Sequence, residues 1–108
     1  VYLPAPDEEI WVGVLRLLVH VPGSRSLKDR RRAVLSLVER IAARHHASTA
    51  DVGHLGSPGQ AAIAAVVVAN DPQLVRARLD AIRAEAERSA HAYLVDSTSW
   101  IEKKTDLG

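Results

Sequence analysis

The order of hydrophobic periodicities along this chain predicts an α+β fold in which a four-stranded antiparallel sheet carries two helices on one face. Two segments repeat apolar residues at helical spacing, each behind a capping signal. They are Leu27, Val34, Leu37, Val38 and Ile41 after Ser26, and Val75, Leu79, Ile82 and Ala86 after Asp71-Pro72. Runs of strand character flank them at 10–21, 47–54, 61–70 and 91–101. The resulting order is β-α-β-β-α-β. With right-handed crossovers it gives a ferredoxin-like split βαβ sandwich with sheet order 4-1-3-2 and both helices on one face.

Each element has a local reason. Residues 1–9, with Pro4, Pro6 and the acids Asp7 to Glu9, read as an irregular lead-in to a single domain at 10–102. The first strand places Leu15, Leu17, Val19 and Val21 on one face, and Val12, Val14, Arg16, Leu18 and His20 on the other. Pro22-Gly23 ends it. Ser26 then caps a helix over 26–45, with Asp29 three residues on in a capping-box arrangement and Arg44, His45 and His46 at its end. A weak strand and a Gly/Pro-rich hairpin at 53–60 lead to residues 61–69, apolar throughout, as expected of a strand covered on both faces. In the second helix Arg76, Arg78, Asp80, Arg83, Glu85 and Glu87 are expected to face water. The last strand alternates Tyr93, Val95, Ser97 and Ser99 against Ala92, Leu94, Asp96 and Thr98, and 103–108 is expected to fray.

Composition narrows the chemistry. At 108 residues and 47% hydrophobic the chain can bury one core, which without Phe must be built from Val, Leu, Ile and Ala. The absence of cysteine excludes disulfides, zinc–thiolate sites and thiol catalysis, and fits the expected cytoplasmic location. No apolar run approaches the ~20 residues that span a bilayer, so no membrane partner is expected. One sheet face is left without helices although the central strands are apolar on both sides, and a homodimer is the simplest cover for it.

Charge is concentrated in Pro22 to Arg32, which holds five basic residues and one acid in a chain whose net charge is only +1. Cations at a helix start oppose the helix dipole by a few tenths of a kcal/mol up to ~1 each. A bound anion would reverse that penalty. Arg25, Ser26, Lys28, Arg30, Arg31 and Arg32 are therefore the candidate phosphate or nucleic-acid contacts, with RNA or the ribosome as the expected partner. The topology should bring His20, His54 and His91 to the same edge as neighbours. Their spacing matches no known ligand pattern, and no metal or cofactor is expected. Acylphosphatases share this fold and hold phosphate after strand 1, where Gly23 and Arg25 stand here. The repeated glycines and the strand-2 Asn of that site are missing, and no enzymatic activity is expected.

Val12-Gly13-Val14-Leu15-Arg16, His20-Val21-Pro22, Ser26-Leu27-Lys28-Asp29-Arg30-Arg31, Ser48 to Gly53 and Val66 to Asp71 together resemble the YlxP-like family over about residues 10–100. This is a bacterial family of unknown function, and the segment at 26–31 is the most specific part of the match. The resemblance implies a ferredoxin-like fold. Its genes lie beside those of a translation initiation factor and a ribosome-binding factor, which implies ribosome or RNA association. It implies no catalytic residues. Leu55-Gly56-Ser57-Pro58-Gly59-Gln60 departs from the acidic-aromatic, arginine-ended segment usual there. The expectation is thus a non-catalytic RNA- or ribosome-associated module. The alternative is a homo-oligomeric structural or adaptor domain that binds protein through its open sheet face.

Overall fold

In the computed structural model, which describes residues 8–23, 26–53 and 59–104, the first apolar run forms β1 (Trp11–His20). It is followed by α1 (Leu27–His45), β2 (Ser48–Gly53), β3 (Gln60–Ala69), α2 (Pro72–Glu87) and β4 (Tyr93–Lys103). The sheet order is β2-β3-β1-β4 with every pairing antiparallel, the order that the sequence predicts. Both expected caps are present. The Ser26 side chain accepts from the Asp29 N–H at 3.2 Å, and Asp71 accepts from the Gln73 N–H at 2.8 Å ahead of Pro72.

The core lies between the sheet and the two helices. Leu15, Leu17 and Val19 of β1 and Ile63, Ala65 and Val67 of β3 meet Val34, Leu37 and Ile41 of α1, and Val75, Leu79, Ile82 and Ala86 of α2. Burial of each large aliphatic side chain stabilises the fold by about 1.5–3 kcal/mol. At Gly13 α2 packs directly on β1. A Cβ there would overlap Val75 Cγ1 and stand 3.0 Å from Leu79 Cδ1, both on buried side chains of α2.

Several expectations are corrected. β4 starts at Tyr93 rather than 91 and runs to Lys103, and Lys104 N–H bonds Ile10 O at 2.6 Å. Its simple alternation fails because Val95 is an extra residue between the pairs Val19–Leu94 and Leu18–Asp96. The bulge puts Tyr93, Asp96, Thr98 and Trp100 on the open face, and Leu94, Ser97, Ser99 and Ile101 on the helix face. The Asp96 carboxylate accepts from the Ser97 N–H at 2.8 Å, beside the interrupted ladder. β3 is not covered on both faces within one chain, since Val68 is 59% exposed on the side away from the helices. Glu85, expected in water, is buried against α1. Arg30 is also buried, because it begins the stripe Arg30, Val34, Leu37, Ile41 that faces the sheet. Residues 1–7, 24–25, 54–58 and 105–108, and with them Arg25, His54 and most of the lead-in and tail, lie outside the described residues.

Gly13→Ala is expected to lower stability by about 1–3 kcal/mol, because a packed valine and leucine would have to move. The check is a thermal melt, in which Tm should fall by several degrees; an unchanged Tm would mean that α2 can shift freely on β1.

Candidate functional site

The start of α1 presents Lys28, Arg31 and Arg32 to solvent. Arg30 turns inward and is 3% exposed, and its side chain has no hydrogen bond or ion pair among the described residues. It therefore drops out as a direct phosphate contact. Beside this start lies a cleft of about 410 Å³ lined by Val21, Pro22, Gly23, Asp29, Arg32, Ala33, Ser36, Ala90 and His91. Gly23 shapes its mouth at φ +73°, a conformation that glycine adopts without strain. The structure thus brings His91 to the basic helix start, as the topology implies. His20 goes elsewhere: it pairs with Gln60 and Tyr93 on the open sheet face, where its ring leaves no room for a Cβ at Gly59. The sheet separates the two histidines. Among the described residues no three His, Asp or Glu side chains gather to hold a metal ion.

Asp29, Ser36 and His91 share the cleft, but no hydrogen bond joins any two of them. Nucleophilic catalysis needs a base bonded to the nucleophile and a third group to orient it. Neither link is present.

The basic surface continues beyond the helix start, in a direction that local sequence does not advertise. Arg32, Ser36, Arg40 and Arg44 follow one another at four-residue spacing and form a ridge on α1 that borders α2. Midway along the seam Glu85 projects from α2, 3% exposed. Its carboxylate receives Arg44 Nη1 at 3.3 Å and meets His45 Nε2 at 3.3 Å, with Arg40 and Arg88 each at 3.8 Å. Past this knot a second cavity of about 280 Å³ is lined by Arg44, His45, His46, Ala77, Arg78 and Ala81. The small side chains Ala77 and Ala81 keep it open. Five arginines (Arg32, Arg40, Arg44, Arg78 and Arg88) thus follow the seam, and the carboxylate at its centre is buried. The neighbouring acids Asp80 and Glu87 are paired with Arg76 and Arg83 on the same helix.

Burial alone would raise the Glu85 pKa, because it penalises the charged form. The His45 hydrogen bond and the charge of Arg44, helped by Arg88, outweigh it and hold the carboxyl below its ordinary value. Glu85 therefore stays charged among the cations of both helices.

A family model described as "Protein of unknown function (DUF503)" matches residues 12–99. The chain belongs to that family. The description names no reaction. No curated protein matches the chain. Among solved structures the chain is similar to "De novo designed protein Foldit4", with 14% identity over 91% of this chain and 99% of that one and a TM-score of 0.49. No helix among the described residues is long and apolar enough to cross a membrane.

Glu85→Gln is expected to destabilise the protein by about 1.5–3 kcal/mol near neutral pH, since it removes charged hydrogen bonds from a buried site. A carboxyl whose folded pKa lies below its unfolded value contributes stability that is full above the unfolded pKa. That contribution is lost as the pH falls through the folded pKa. Urea melts over a pH series should show the two proteins converging in acid; a constant difference down to strongly acidic pH would contradict the assignment.

Proposed function

We propose that this chain is a non-catalytic, YlxP-like RNA-binding module that holds a phosphate backbone along the seam between α1 and α2 and works in association with the ribosome. The observation that carries the reading is the row of five arginines along the seam, three of them around the buried carboxylate of Glu85. From Arg32 to Arg44 the ridge spans about 18 Å of helix. Guanidinium groups suit phosphate because they present several donors in a planar fork. Four of them have partners: Arg40, Arg44 and Arg88 lie against Glu85, and Arg78 donates to Val68 O at 3.4 Å. Lys28 and Arg31 extend the charge at the helix start. The ribosomal context rests on the resemblance of residues 26–31 to YlxP-like proteins. Binding of this type follows charge and backbone shape more than base identity.

The test is RNA and ribosomal-subunit binding across a salt series, for wild type, Lys28→Ala/Arg32→Ala and Arg44→Ala/Arg78→Ala, each with its fold checked by melting. Wild-type affinity should fall steeply with salt, and each double variant should bind more weakly with a salt slope shallower by about one to two units. Absence of binding at low salt, or an unchanged slope in both variants, would overturn the proposal.

A further inference from the structure

The face of the sheet opposite the helices has its own architecture, and we infer that it is the interface of a homodimer. Even-numbered residues of β1 and β3 and the post-bulge residues of β4 point there. They form two bands with different relief. Val12, Val14 and Leu18 of β1, with Trp100 of β4, make a ridge of large side chains. Val66 and Val68 of β3 continue it beside Val14 and Val12, while Ala62 and Ala64 of β3, with Ala50 of β2, make a trough at the other end of that strand. Trp100 is 52% exposed and Val68 59% exposed, so neither is covered within one chain.

Three features favour a second copy of this chain as the occupant. The first is shape. A ridge beside a trough on one surface is self-complementary, since a two-fold rotation seats each ridge in the other copy's trough. The second is charge. Arg16 stands in the middle of the face between Ala64 and Thr98, and its side chain has no hydrogen-bond or ion-pair partner among the described residues. Asp96 lies on the same face and meets no cation there. The remaining acid, Glu102, is paired with Lys104 at 3.0 Å. The face thus carries one unpaired charge of each sign, so two copies can pair Arg16 of one with Asp96 of the other, without net repulsion. The third is area. β1, β3 and β4 are ten or eleven residues long and β2 six, and at ~4.8 Å apart they make a face of roughly 580 Å² before side-chain relief is counted. Side-chain relief brings it to the low end of specific interfaces, about 600–800 Å² per partner. The β4 bulge and the charged end Glu102-Lys103-Lys104 disfavour edge-to-edge pairing along β4. In the face-to-face dimer the two arginine seams look outward on opposite sides.

Light scattering after size exclusion, at high and low protein concentration, provides the test. Wild type should show twice the 11.7 kDa chain mass. Val68→Lys and Trp100→Glu, both at exposed positions, should keep the cooperative melt of a folded domain and raise the dimer dissociation constant more than about 10-fold. Lys28→Ala/Arg32→Ala should leave the mass unchanged, so loss of RNA binding and loss of the dimer can be told apart. A monomeric wild type at high concentration would overturn the inference. So would a dimer that persists in both face variants. A third contrary result is RNA quenching of Trp100 fluorescence in a Trp11→Phe background, which would place nucleic acid on the sheet.

Discussion

A carboxylate taken out of water must find cations or lose its charge, and Glu85 finds them on the other helix. Its position on α2 fits only an arrangement in which Arg40, Arg44 and His45 of α1 run alongside. The contact is therefore a condition on how the helices lie as well as a source of stability. It also explains why a seam so rich in arginine does not repel itself apart. The buried charge offsets its neighbours from beneath while their outer donors stay available, Arg44 and Arg88 being largely exposed. One interaction thus supports both the helix layer and the surface proposed to act.

The two sides of the sheet divide the remaining tasks. The helix side is closed, with Gly13 admitting Val75 and Leu79 at a distance that no larger residue allows. The other side is finished in small and large apolar residues but left uncovered. Both helices lie on one face of the four-stranded sheet, and the other face is the one we infer to be the homodimer interface. Basic helices on one side and an apolar sheet on the other separate electrostatic recognition from association. The same surface need not serve both.

Much of the fold was legible because it follows from periodicities that local residues set. Ser26 and Asp71-Pro72 mark the helix starts, and Leu15, Leu17 and Val19 mark the buried face of β1. The misses have separate causes. Glu85 looks like a wet-face acid because its burial is decided by α1, forty residues away. Arg30 looks like one more cation in a run, yet its place on the Val34-Leu37-Ile41 stripe puts it inside. The Val95 bulge leaves no signal in composition, since Tyr93 to Ser99 alternates acceptably in either register. For the site, the basic helix start and the approach of His91 could be read in advance, because topology alone brings those ends together. The Arg32-Ser36-Arg40-Arg44 ridge could have been found from its four-residue spacing. The contributions of Arg78 and Arg88 could not, since they depend on how the helices pair.

The most direct test of the central claim asks where RNA sits on the folded protein. Backbone amide chemical shifts, followed by NMR during titration with a short single-stranded RNA, answer this without any mutation. The account predicts changes concentrated along the seam, at Arg32, Ser36, Arg40, Arg44, Ala77 and Ala81, diminishing as salt is raised. Changes centred on Val14, Val68 and Trp100 with a silent seam would contradict it.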